Sequence, residues 1–145
     1  MDCDRKTPKC SDIPPEFWYP CGAHYCEVPV YRLTRLPDAV LNDDFLSQYE
    51  IDKKRGTIKT ELLHNDKYYG VSVLGNKKDA EKLLKKVVAM KKKYNGIAYG
   101  TTCVMDGVIR HTPNQSLSSH ITWWLFEGAM PETYFTSLHD GGNDD

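Results

Sequence analysis

Long apolar runs are missing from this 145-residue sequence, and so is a strong net charge. No run approaches the roughly 18 apolar residues that a membrane-spanning helix needs, and no apolar segment follows Met1 as in a signal peptide. The formal net charge is −1, which gives no general attraction to nucleic acid or to an anionic membrane. We therefore expect a cytoplasmic protein with neither a membrane nor a nucleic acid as its partner.

Glycine-rich nucleotide motifs are missing as well. The sequence has no Walker loop and no GxGxxG pattern, so no motif specifies a nucleotide or any other cofactor. Its 145 residues suit a single domain with a real core, and an apolar content of 40% with a charged content of 27% is typical of a globular protein.

Cysteine is concentrated at one end of the chain. Four of the five cysteines and one histidine lie in the first 26 residues: Cys3, Cys10, Cys21, His24 and Cys26. The four-residue gap between Cys21 and Cys26 fits a zinc-binding pair, whereas the six-residue gap between Cys3 and Cys10 is too wide for a common zinc knuckle. Free thiols are the favoured interpretation, so no metal ligand is predicted, and a zinc site or a disulfide remains the alternative.

Proline and glycine divide the chain into three parts. Residues 1–27 carry four prolines and are predicted to be an irregular Cys/Pro-rich arm. Residues 28–138 hold the periodic patterns and are predicted to be the domain, and residues 139–145 a disordered tail.

The periodic patterns predict an α+β domain. We expect strands at 28–34, 68–74, 97–104, 108–112 and 118–126, a helix from Asn42 or Asp43 to Glu50, a loop over 51–65, and a longer helix from Lys77 to about Tyr94. The turn at 105–107 predicts a hairpin between the third and fourth strands. The expected architecture is a mostly antiparallel sheet packed by one long helix and a shorter helix.

The segment from Ser118 to Phe126 carries the main site hypothesis. Strand alternation places three apolar side chains, Ile121, Trp123 and Leu125, on one face, which we expect to be core. The other face carries His120, Thr122, Trp124 and Phe126. An imidazole beside a hydroxyl and aromatic walls is typical of a small cleft, so His120 and Thr122 are the predicted catalytic residues. The alternative is a structural, hydrogen-bonded strand.

Three further residues are predicted to contact a ligand together with Trp124. The planar guanidinium of Arg32 suits a phosphate or a carboxylate. Ser72 precedes the long helix, and Asn76 is its expected N-cap, where backbone N–H groups can bind an anion. Each residue also has a structural alternative, such as a surface ion pair for Arg32.

Four short motifs carry a resemblance to known proteins. Val30-Tyr31-Arg32, Asp44-Phe45-Leu46-Ser47, Gly70-Val71-Ser72-Val73 and His120-x-Thr122-x-Trp124 together resemble a pattern in small uncharacterised bacterial proteins. More remotely, the chain is similar to ADP-ribosyltransferase-like folds, where an arginine on the first strand and a serine on a later strand match Arg32 and Ser72. That likeness implies nucleotide binding, although the usual glutamate pair is absent and Glu127 stands only near its position. His120-Ile121-Thr122 is also the single match to the paired His-x-Thr strands of two-histidine phosphoesterases.

Three function classes follow from these residues. The first is binding or processing of a nucleotide or another phosphate-bearing small molecule in a cleft around Arg32, Ser72 and His120/Thr122. The second is a non-catalytic module of partner or immunity type that binds a protein through exposed aromatic residues. The third is a zinc-binding recognition module built on the N-terminal cysteines. The lysines between 77 and 93 are interpreted as a solvated helix face, not a nucleic-acid surface.

Overall fold

One antiparallel sheet organises the fold. The computed structural model describes residues 6–10 and 12–138, and the predicted tail at 139–145 lies outside them. Six strands occur in the described part: β1 (Pro29–Thr34), β2 (Val71–Leu74), β3 (Gly96–Thr101), β4 (Gly107–His111), β5 (His120–Leu125) and β6 (Thr136–Ser137). Their order in the sheet is β4-β5-β2-β1-β3-β6, and every neighbouring pair is antiparallel. The α+β prediction is confirmed.

The shorter helix, α1 (Gln48–Arg55), begins and ends later than predicted. Asn42–Phe45 is a separate 3₁₀ turn, and α1 begins after Ser47, whose hydroxyl accepts from the Glu50 amide while the Glu50 carboxylate accepts from the Ser47 amide. This reciprocal capping outcompetes Asn42 or Asp43 as a helix start. The helix ends at Gly56, which takes a left-handed conformation (φ 72°). The first part of the predicted loop over 51–65 is therefore helical.

The longer helix, α2 (Lys77–Ala89), confirms the predicted start but not the predicted end. The Asn76 side chain accepts from the Asp79 amide at 2.8 Å, as expected of an N-cap. The helix stops five residues before Tyr94 because Lys91 adopts a left-handed conformation (φ 59°). The Lys91 amide then donates to the Val88 carbonyl and the Lys92 amide to the Val87 carbonyl, which is a Schellman ending with lysine where glycine is usual.

The predicted hairpin between the third and fourth strands is wrong. β3 pairs with β1 and β6, whereas β4 pairs with β5 at the other end of the sheet. After β3 the chain stays bound to the segment before β1: the Thr102 amide donates to the Val28 carbonyl, and the Thr102 hydroxyl donates to the Cys26 carbonyl. Because β1 and β6 lie on the two sides of β3, the segment after the turn at 105–107 pairs with β5 instead.

Both faces of the sheet are covered. Ile121, Trp123 and Leu125 pack in one core cluster, as predicted. The opposite face is covered by α2 at one end and by aromatic side chains at the other, among them Phe17, Trp18, Tyr19, Tyr49, Tyr68 and Tyr69. Thr122, Trp124 and Phe126 on that face are consequently buried. Within the described ranges, no helix has the length and apolar character needed to cross a membrane.

Candidate functional site

A cavity of about 180 Å³ lies where β1 and β2 separate. The two strands share one residue pair, Tyr31 with Leu74, and then diverge. Arg32 and Ser72 line this cavity beneath α2 and beside α1. Two of the sequence-predicted ligand residues are therefore brought together. His120, Thr122, Asn76 and Trp124 are not among the residues that line it.

Arg32 donates to backbone carbonyl groups around this cavity. Its Nε donates to the Asp44 carbonyl at 2.7 Å, Nη1 to the Ser72 carbonyl at 2.8 Å and Nη2 to the Leu46 carbonyl at 3.3 Å. Burial lowers the pKa of Arg32 from its ordinary value, and the group nevertheless stays charged at neutral pH. Arg32 therefore joins the 44–46 segment to the sheet and places a positive charge at the cavity.

The strand register separates Arg32 from the other predicted residues. Arg32 lies opposite Ala98 on β3, whereas Ser72 lies opposite Thr122, and His120 belongs to the same face as Ser72 and Thr122. Tyr31 pairs with Leu74, which shares a face of the sheet with Ser72. Because side chains alternate along a strand, the next residue, Arg32, lies on the other face. The Arg32 guanidinium contacts Ser72 at its backbone carbonyl, which lies in the plane of the sheet.

His120 belongs to a chain of hydroxyl groups on the covered face. Its Nδ1 lies 2.8 Å from the Thr112 hydroxyl, which lies 2.8 Å from the Thr122 hydroxyl. Thr122 is 1% exposed, so the two predicted catalytic residues connect through a third residue and not through a cavity. Burial lowers the pKa of the His120 imidazole, and the positive charges of Lys67 and Arg32 lower it further. A neutral imidazole suits this hydrogen-bonded position.

The lowered pKa of His120 predicts that acid destabilises the fold. Below about pH 6.5 the unfolded chain protonates this imidazole more readily than the folded chain, so stability that is present above pH 6.5 is lost as the pH falls towards the folded-state pKa. We expect the melting temperature to fall between about pH 7.5 and 5.5, and to fall less in His120→Asn than in wild type. His64→Asn, at an exposed position, is the control. An equal fall in His120→Asn and wild type would contradict the assignment.

Trp124 is a packing residue and not a cleft wall. It is 3% exposed, and its indole Nε1 donates to the Asp66 carbonyl at 2.9 Å. The Arg110 guanidinium lies 5.0 Å from the indole ring centre and binds both carboxylate oxygens of Asp66 at 2.8 Å. These contacts attach the 66–69 turn to β4 and β5.

The N terminus of α2, where Asn76 was expected to help bind an anion, already faces a carboxylate. Asp79 lies in the first turn and accepts from the Ser119 hydroxyl at 2.6 Å and the Ser119 amide at 3.0 Å. These bonds lower the pKa of Asp79, so its negative charge occupies the position that favours an anion.

The described cysteines are free thiols. Cys10, Cys21, Cys26 and Cys103 form no disulfide with one another. Across residues 6–10 and 12–138, no three His, Cys, Asp or Glu side chains are grouped so as to hold a metal ion. Cys3, part of the zinc alternative, lies outside the described residues.

A second recess, of about 360 Å³, adjoins the first cavity. The two share Gln48, Ile51, Lys92 and Tyr94. Five cationic side chains from three segments line the second recess: Arg35, Arg55, Lys91, Lys92 and Lys93. None of its lining residues is acidic, and none of the five cations forms an ion pair within the described part of the chain. We call it the basic recess.

The ends of three elements build the basic recess. Arg35 follows β1, Arg55 ends α1, and the three lysines follow α2. The sequence analysis missed this grouping because it extended α2 to Tyr94, which placed Lys91–Lys93 on a helix face. The run of three lysines after the helical stripe was the only local signal, and it could not indicate which residues the lysines face.

A buried hydrogen-bond network positions the wall formed by α1. The Asp52 carboxylate, 2% exposed, accepts from Tyr68 at 2.7 Å and from Gln48 and Lys59 at 2.9 Å. Burial alone would raise the pKa of Asp52, but the three hydrogen bonds together lower it below its ordinary value. Gln48, which borders both cavities, is thereby held in place.

Comparisons with protein-family models, with curated proteins and with solved structures found no match to this chain. The function proposed below therefore rests on the geometry and charge of the described residues.

Proposed function

We propose that this domain binds a phosphate-bearing small molecule in the basic recess. The observation that carries the proposal is the convergence of five cations without ion-pair partners on one recess that no carboxylate lines. Like charges held together raise the free energy of the folded chain, and a bound polyanion removes that cost. Guanidinium and ammonium groups are the side chains that bind phosphate most strongly.

The conformation of Lys91 supports the proposal. A left-handed backbone disfavours lysine relative to glycine, by about 1–2 kcal/mol. Glycine at position 91 would end α2 at a lower conformational cost, but it would remove one cation from the basic recess. The chain keeps lysine here despite this conformational cost, which supports a functional role for the Lys91 ammonium group.

Pyrophosphate binding tests the proposal. At about 100 times its Kd, a ligand adds about 2.7 kcal/mol to the free energy of unfolding, which raises the melting temperature of a chain of this size by about 5–10 °C. We expect pyrophosphate to produce such a rise, and sodium chloride of equal ionic strength not to. The double variant Arg55→Gln/Lys92→Gln should weaken pyrophosphate binding about tenfold or more.

Two variants separate binding from general effects of charge. Lys78→Gln/Lys85→Gln removes two exposed lysines of α2 that do not line the recess, and it should keep wild-type pyrophosphate binding. Lys91→Gly should raise the melting temperature without ligand and reduce the pyrophosphate-induced rise. Equal pyrophosphate binding by wild type and Arg55→Gln/Lys92→Gln would overturn the proposal.

A further inference from the structure

The cavity between β1 and β2 differs chemically from the basic recess beside it. Six aliphatic side chains contribute to its lining: Leu33, Leu46, Ile51, Leu74, Leu83 and Val87. Its polar lining residues include two cations, Arg32 and Lys92, together with Gln48, Ser72 and Tyr94. We call it the apolar cavity. The shared residues make the two spaces neighbours. Half of the residues that line the apolar cavity are aliphatic, whereas Ile51 is the one aliphatic residue among those that line the basic recess.

We propose that the ligand is an amphipathic phosphate ester, with its phosphate in the basic recess and a small apolar group in the apolar cavity. This inference rests on the proposed function, because it names the chemical class of ligand for the same site. The linings set the orientation: four cations line only the basic recess, and five of the six aliphatic side chains line only the apolar cavity.

The dimensions of the apolar cavity limit the apolar group. Its volume is about 180 Å³. An apolar cavity of about 150 Å³ in a protein core accommodates one benzene molecule. A single aromatic ring or a short branched alkyl chain therefore fits, whereas a long acyl chain does not.

Two polar side chains at the apolar cavity, Arg32 and Gln48, are held in place by other parts of the protein. Three of the five N–H groups of Arg32 donate to backbone carbonyl groups, so the guanidinium is already held in place by the protein. Gln48 on the shared border is likewise bound, through Nε2, to Asp52. Neither side chain must reorganise before an apolar group enters.

A comparison of phenyl phosphate with methyl phosphate tests the inference. Both carry the same phosphate, so calorimetric titration of wild type isolates the contribution of the ring. We expect phenyl phosphate to bind about tenfold more tightly, because the ring leaves water for the apolar cavity. Val87→Phe, which fills the cavity, should abolish this preference and leave methyl phosphate binding unchanged. Val88→Phe, at an exposed position on the same helix, should retain it.

The outcomes distinguish failure of this inference from failure of the proposed function. Equal affinity of wild type for the two esters, with methyl phosphate binding still lost in Arg55→Gln/Lys92→Gln, would overturn the apolar group alone. An absence of phosphate binding in wild type would overturn both. A retained preference in Val87→Phe would also overturn the inference. If Val87→Phe melts well below wild type, Ser72→Val replaces it, because it also adds side-chain volume to the cavity, from β2. A retained preference for phenyl phosphate in Ser72→Val would then overturn the inference.

Discussion

Replacing Arg32 with alanine is expected to lower the free energy of unfolding by about 3–5 kcal/mol. The guanidinium donates to the carbonyl groups of Asp44, Leu46 and Ser72, and hydrogen bonds from a charged donor contribute about 1.5–3 kcal/mol each. Arg32 is half-buried, so water replaces part of this loss. Urea unfolding measures the change.

Two further variants define what Arg32 does. Arg32→Lys keeps the charge but cannot reproduce three divergent N–H groups, so we expect a loss of about 2 kcal/mol. Arg35→Ala is the matched control: its side chain lines the basic recess and is exposed, and the loss should stay within about 0.5 kcal/mol. If Arg32→Ala kept wild-type stability while pyrophosphate binding was lost, Arg32 would act as a ligand residue, as the sequence analysis predicted.

Replacing Trp123 with alanine is expected to cost about 3–5 kcal/mol of stability. Trp123 is 0% exposed and lies between Phe45, at a ring distance of 6.4 Å, and Phe135, at 5.8 Å. Truncation leaves a cavity at the centre of the core, and the β-strands around it cannot collapse to fill it. Urea unfolding with calorimetry measures the loss.

Trp123→Phe should cost far less, about 0–1 kcal/mol. The Trp123 Nε1 is buried without a hydrogen-bond partner among the described residues, so phenylalanine removes an unsatisfied donor while it gives up some packing. The indole packs closely against Gly107: a Cβ at that position would lie 2.8 Å from Nε1. A loss in Trp123→Phe as large as that in Trp123→Ala would contradict this account.

Local sequence patterns predicted most element types correctly. α2 was found from its cap at Asn76 and its apolar stripe, and β1 and β5 from alternating side chains, whereas the first residues of the strand predicted at 68–74 belong to a 3₁₀ turn. These patterns depend on residues within about four positions of one another, so a single sequence carries them. The errors at α1 had the same local origin, because the capping box of Ser47 and Glu50 was overlooked.

The structure brings together only some of the residues that were predicted to form the site. Arg32 and Ser72 do line one cavity, but His120 and Thr122 lie in a hydroxyl chain on the covered face. Alternation showed correctly which residues of β5 share a face, but it cannot show what covers that face. The aromatic residues of the arm and the 66–69 turn cover it, and neither is near β5 in sequence.

The sequence by itself determined the α+β class, the start of α2 and the two faces of β5, because each follows from contacts between residues near one another in the chain. Only the tertiary structure decided the strand order, the pairing of β4 with β5 and the meeting of Arg35, Arg55 and Lys91–Lys93. Those arrangements depend on how the ends of distant elements come together. That outcome is set by the packing of the whole core, which a short sequence window does not contain.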